Sequence, residues 1–236
     1  MRLLLENWRR FLKEEQGAAE SKTGLYHERS KDVEELVLYR ISQETLEDGQ
    51  TVTKPEVISY MELEETWQRC IPRTWQVSRS YTDSKHQKQG LGTQMYGMAF
   101  FAINRLGRGL TSDQNSSTSS DAGRRWKKFI QNGELTPRKT PGTPPEGGHD
   151  KFDYGGKNTP EDPFDDCGMN TEGPVGDGTD RSWSMKDYNK YRELYTQYLI
   201  NHQIILSSIP TDQQKRFLKK LLALGNKGFQ SNYLGE

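Results

Sequence analysis

The chain has 236 residues, of which 31% are hydrophobic and 28% charged. That is a lean core for a chain of one domain, or one domain with appendages, so part of it is expected to be irregular or exposed. Basic and acidic residues balance at 33 each, which removes any global electrostatic attraction to nucleic acid or to a membrane surface. Cys70 and Cys167 follow no disulfide or zinc spacing, and reduced thiols in an intracellular protein are the expectation. The histidines are scattered, and no His/Cys/Asp cluster has metal-ligand spacing. No apolar run approaches the ~18 residues of a membrane span, and the charged N-terminus lacks a secretory pattern.

In chain order, residues 2–15 predict an amphipathic helix, with Leu4, Leu5, Trp8, Phe11 and Leu12 at three- and four-residue spacing. Residues 16–24 read as a flexible joint. ELVLYRIS (35–42) is a strand pattern. Asp48-Gly49 marks a hairpin turn, PEVISYMELEE (55–65) a second strand, and TWQVSRSYTD (74–83) a third. The stretch KHQKQGLGTQMYG (85–97) then opens a helix of about 91–106, which Gly107 and Gly109 close. GLTSD (109–113) is a short strand. Residues 116–130 form a helix with Ser119, Ser120 and Asp121 as caps and an apolar face of Trp126, Phe129 and Ile130.

Between 133 and 181 the composition turns Gly- and Pro-rich, and residues 160–180 are acidic without a base. This is a long irregular segment, read as a solvated loop because the acids do not match a calcium loop. Beyond it, Ser184 with Asp187 resembles a capping box. Tyr188, Tyr191, Tyr195, Tyr198, His202 and Ile205 form a helical stripe, read as core rather than as a stacking platform. Thr211 with Gln214 starts a last helix that Gly225 closes. The basic cluster Arg124, Arg125, Lys127 and Lys128 wraps around a helix and reads as a solvated face, so nucleic acid is not an expected partner.

A strand that ends in a glycine-rich turn and opens a helix presents unpartnered N–H groups and a positive dipole end. That arrangement suits an anion, above all a pyrophosphate. The dinucleotide fingerprint fails because Met95 stands where its third glycine belongs, and no Walker sequence is present. Gln87-Lys88-Gln89-Gly90-Leu91-Gly92 does match Q/R-x-x-G-x-G/A. In this it resembles the acetyl-CoA pyrophosphate loop of the Gcn5-related N-acetyltransferase superfamily. The preceding strand, the following helix, the short strand and Ala122–Phe129 occur in that family's order, so the resemblance covers about residues 34–135.

The resemblance implies an α+β fold, a mixed and mostly antiparallel sheet flanked by helices in three layers. It divides the chain into an N-terminal helix and linker (1–24), an acyl-CoA-binding core (25–135), the irregular segment (136–181) and a helical C-terminal segment (182–236). It implies acetyl-CoA as cosubstrate and an amine as acceptor. Backbone amides of Gln87, Lys88, Gln89, Gly90, Leu91, Gly92 and Thr93 would hold the pyrophosphate, with Lys85 or Lys88 adding charge. The strand from Val77 through Arg79 to Tyr81 would border the pantetheine arm. Two departures stand out. Trp126 occupies the place of the family's frequent tyrosine acid, and an indole is no general acid. The sixth and seventh strands are expected to be replaced by the Gly/Pro-rich segment. Substitute acids are Tyr81, Tyr96 or Cys70, and catalytically degenerate binding is the alternative to turnover.

The SDQNSSTSSDAGRRW stretch followed by PFDDC (163–167) also resembles transferase-like proteins of large tailed phages. Leu12-Lys13-Glu14 is similar to the L-x-E signal of phage head-maturation proteases. This resemblance implies phage head proteins as partners through the N-terminal helix. A cytoplasmic location, or packaging into a virion, follows as the expectation.

Overall fold

A computed structural model describes residues 23–45, 51–65, 74–112, 120–138 and 182–234. The expected helix at 2–15, the joint at 16–22, the Asp48-Gly49 turn, Cys70, Ser119, residues 139–181 with Cys167, and the phage-like L-x-E and PFDDC sequences lie outside the described residues.

Seven strands form one sheet: β1 (Thr23–Arg29), β2 (Val33–Thr45), β3 (Thr51–Glu65), β4 (Thr74–Thr82), β5 (Gly109–Thr111), β6 (Leu135–Pro137) and β7 (Trp183–Met185). Their spatial order is β1-β2-β3-β4-β5-β7-β6. Only β4 and β5 run parallel; every other neighbouring pair is antiparallel. Among the described residues, four helices pack on the sheet: α1 (Leu91–Asn104), α2 (Ser120–Gln131), α3 (Arg192–Ser207) and α4 (Thr211–Leu234). The class is the expected α+β.

Both faces of the sheet are covered, so its central strands bury residues of both parities. Leu36 and Leu38 of β2 join Leu63, Trp75 and Val77 under α1 and α2, packed with Met95, Phe100, Trp126 and Phe129. Val37 and Tyr39 face the other way and pack with Tyr60, Ile205, Phe217 and Leu221 of α3 and α4. Because α1 is enclosed, Met95 to Ile103 are buried without interruption, as for any helix that is apolar all round. Two bulges adjust the parity. Residue 58 is the extra residue between the Leu38–Ser59 and Tyr39–Val57 pairs. Ser78 is the extra residue between the Leu63–Val77 and Glu62–Arg79 pairs.

Four sequence expectations need correction. Thr23 and Gly24 are not joint but the start of β1, which turns tightly into β2 through a Ser30 N–H bond to the Val33 carbonyl at 2.8 Å. Gly24 sits where a Cβ would lie 3.0 Å from the Tyr39 ring. The sixth and seventh strands are present, and the Gly/Pro-rich segment lies between them instead of replacing them. Ser184 is a residue of β7, and the helix starts only at Arg192, after a 3-10 turn at Tyr188–Tyr191. Gly225 does not end α4; it is buried mid-helix, and its missing Cβ would lie 2.5 Å from the Tyr60 ring. Helix propensity disfavours glycine there, but the close approach to Tyr60 requires it.

The C-terminal stripe is core. Tyr191, Tyr195, His202 and Ile205 are buried. With them α3 covers the exposed edge of β1, where Asn201 Nδ2 donates to the Thr23 carbonyl at 2.9 Å and His27 Nδ1 lies 2.5 Å from the Tyr195 hydroxyl. Covering an edge strand removes a template for unwanted pairing.

Candidate functional site

The turn between β4 and α1 is built from local hydrogen bonds. The Asp83 carboxylate accepts the Lys85 N–H and the Tyr81 hydroxyl, each at 2.9 Å. This bends the chain into a 3-10 turn over Ser84–His86. His86 is buried, with Nε2 3.3 Å from Glu56. The Gln87 amide then donates back to the Thr82 carbonyl at 3.2 Å. Lys88 (φ 62°) and Gly90 (φ 78°) both adopt the left-handed region. Glycine reaches it without a Cβ penalty, and a lysine there is uncommon.

Gly90 is the N-cap of α1 and supplies no side-chain cap; the first turn holds no acid. The helical ladder starts with the Gln94 N–H on the Gly90 carbonyl at 3.0 Å. The N–H groups of Leu91, Gly92 and Thr93 therefore have no acceptor within the helix. Over this end lies the Arg125 guanidinium of α2: a Cβ on Gly92 would sit 2.8 Å from its Cζ. The same guanidinium rests 6.0 Å above the Tyr96 ring. A cation held against the positive end of a helix is unfavourable until an anion joins them.

Beside the turn the sheet opens. β5 pairs only with Thr74, Trp75 and Gln76 of β4 and ends at Thr111, whereas β4 continues to Thr82. From Val77 onward β4 has no strand neighbour on that side among the described residues. The bulge at Ser78 falls at the start of this opening. Tyr96 of α1 reaches it, its hydroxyl 3.2 Å from Ser80 Oγ. Ser112, just past β5, and Trp126 are buried, and Ser112 Oγ and the Trp126 indole nitrogen find no hydrogen-bond partner. An extended ligand with alternating amide donors and acceptors could complete the unpaired edge of β4 as a strand would.

On the opposite face a carboxylate row crosses the sheet in register: Glu28, Glu35 and Glu62, then Arg79. The Tyr60 hydroxyl lies 2.7 Å from Glu35 and 3.0 Å from Glu62. Burial pushes the Glu35 carboxyl above its ordinary value and Glu62 and Glu28 add to this, against a hydrogen bond from Tyr60. Glu62 also accepts from Ser78 Oγ at 2.9 Å, which ties the row to the bulge.

The predicted site residues fall as follows. Gln87 through Thr93 form one continuous turn, with Gln87 to Gly90 exposed and Gly92 buried. Val77 points its side chain into the core, leaving only its backbone for the opening. Arg79 is exposed on the far face, 3.5 Å from Glu62 and 3.4 Å from Asn226. Tyr81 also faces α4, against Gly228, and burial followed by its bond to Asp83 pushes its hydroxyl pKa up. Of the three candidate acids, Tyr96 borders the opening. Glu35 and Glu62 were not singled out in the sequence, because their alignment depends on cross-strand register. Arg125 was legible only as one residue of a basic cluster.

The architecture is thus a mixed, mostly antiparallel α+β sheet, opened among the described residues where its two parallel strands part. No family model matches the chain, and no curated protein matches it. Among solved structures the chain is similar to one described as the crystal structure of a KacTA–DNA complex, at 12% identity, over 71% of this chain and 76% of that one, with a TM-score of 0.34.

Proposed function

We propose that the protein is an acyl-CoA-dependent N-acyltransferase, using acetyl-CoA as cosubstrate and an amine as acceptor. The observation that supports this is the unpaired edge of β4 leading, through the turn at Asp83–Gly90, to a helix start whose first amides have no acceptor within the helix and whose Gly92 packs against the Arg125 guanidinium. The pyrophosphate would lie on the backbone amides from Lys88 to Thr93, since the Gln87 N–H already donates to the Ser84 carbonyl at 3.3 Å, and Arg125 would clamp it with a charge-assisted hydrogen bond. The pantetheine arm would lie along Val77–Tyr81. In the transfer, the amine nitrogen attacks the thioester carbonyl carbon. The carbon–sulfur bond breaks, the thiolate takes a proton, and the amine loses one. Tyr96 is the proton donor best disposed toward the opening, and a base or water chain takes the amine proton.

Acetyl-CoA should raise the melting temperature by several degrees, since a ligand at a hundredfold excess over Kd stabilises by about 2.7 kcal/mol. Gly92→Ala, whose Cβ has the movable Arg125 guanidinium as its nearest neighbour, should keep the fold and weaken or lose the shift. No shift with millimolar acetyl-CoA or CoA rejects the reading. Binding without thiol release across a panel of amines leaves the degenerate alternative that Trp126 suggests.

A further inference from the structure

We infer that the protein carries a second ligand site, for an organic phosphate of nucleotide size, on the face of the sheet opposite α1. A cavity of about 730 Å³ opens between α4, the paired ends of β2 and β3, and the turn after β4. That volume lies within the roughly 300–1,000 Å³ of small-molecule sites. Three ammonium-bearing side chains, Lys54, Lys85 and Lys227, come from three separate parts of the chain to line it.

The two acids in its wall are engaged elsewhere. Asp83 accepts Tyr81 and the Lys85 amide, and Glu56 lies against His86. Lys85 and Lys227, in contrast, have no carboxylate within ion-pair distance among the described residues. Counted over the lining side chains, three lysines face two carboxylates, a formal excess of one positive charge that an anion would satisfy. Val57, Tyr81 and Leu224 supply an apolar and aromatic wall beside the lysines. A bare phosphate would leave that wall wet; a ligand with a planar apolar body and a phosphate uses both.

The site is distinct from the turn at Gln87–Thr93. Tyr81 and Ser80 alternate across β4, Tyr81 toward the cavity and Ser80 toward Tyr96. The two ligands would lie on opposite faces of one strand.

The test is calorimetry with ADP, in protein saturated with CoA and in protein without it. ADP is expected to bind in both, and Lys227→Glu to weaken it at least tenfold. Lys227→Arg should restore it, and the CoA-induced melting shift should be unchanged in both variants. Competition between ADP and CoA, or undiminished ADP binding in Lys227→Glu, overturns the proposal. Because the ADP titration without CoA stands alone, a failure of CoA to bind would reject the acyltransferase reading and leave this one to be decided by Lys227.

Discussion

Two helical glycines separate propensity from packing at the residue scale. An alanine in a helix is favoured over glycine by about 1 kcal/mol. At Gly123 a Cβ would meet nothing within 4 Å, so Gly123→Ala should stabilise by about 0.5–1 kcal/mol. At Gly225 the same methyl would lie 2.5 Å from the Tyr60 ring. That ring is fully buried and tethered through its hydroxyl to Glu35 and Glu62, so it has nowhere to go. Overpacking costs about 1–3 kcal/mol, which exceeds the propensity gain. Gly225→Ala should therefore lower the urea midpoint while Gly123→Ala raises it. Movement of both midpoints in the same direction would show that packing against Tyr60 does not govern the site.

His202 gives a second residue-scale prediction, in pH. It is buried, with Nδ1 2.7 Å from the Tyr39 hydroxyl, and burial lowers its pKa from 6.5 to about 4. Between those values the unfolded chain binds a proton that the folded ring refuses. Stability is therefore complete above pH 6.5 and falls as the pH drops toward 4, by up to about 3 kcal/mol. His202→Gln should lose contacts at neutral pH but flatten this part of the profile. Parallel profiles for the two proteins between pH 6.5 and 4 would rule out the assignment.

At the scale of elements, what was legible followed the covering of each strand and the length of each helix. The patterns at 35–42 and 55–65 lie within β2 and β3, that at 74–83 overruns β4 by one residue, and the glycine turn opens α1. A three-residue strand carries little periodicity, and at β7 Ser184 and Asp187 fit a capping box as well as they fit a strand end. β1 escaped notice because its polar residues meet α3 from a distant part of the chain, as His27 does with Tyr195. The opening between β4 and β5 could be expected from the resemblance, but the Glu35–Glu62 row could not. It needs the pairing register and the bulge at Ser78, and neither is local.

The helix that sequence ended at Gly225 instead runs to Leu234 and covers a face of the sheet. Leu221 is its fully buried contact, packed in the cluster with Tyr39 and Phe217. Leu221→Ala should cost about 2–5 kcal/mol. The exposed neighbour Lys220→Ala should change stability by no more than about 0.5 kcal/mol. Equal effects in urea denaturation would mean that α4 does not dock through this face.

At the scale of the whole molecule, the long segment between β6 and β7 poses a separable question. Its two ends are already held together without it. Leu135 pairs with Met185 and Pro137 with Trp183, and the Arg138 N–H donates to the Ser182 carbonyl at 2.9 Å. Residues 138 and 182 are thus positioned as the last pair of a hairpin, and a loop of a few residues can close it. Closure entropy grows as about (3/2)RT ln n, so replacing residues 139–181 by a short Gly-containing turn should gain about 2 kcal/mol from the unfolded state. The β4–β5 opening and the turn before α1 are built from residues of β4, β5, α1 and α2. The shortened protein is therefore expected to keep its acetyl-CoA melting shift and to melt no lower than the full chain. If it also transfers acyl groups at an unchanged rate, the acceptor is bound by the sheet face and α4; if transfer alone is lost, the acceptor is bound by the segment. Loss of the melting shift itself would place the cosubstrate site partly within residues 139–181 and overturn the geometry argued for the turn at Gln87–Thr93.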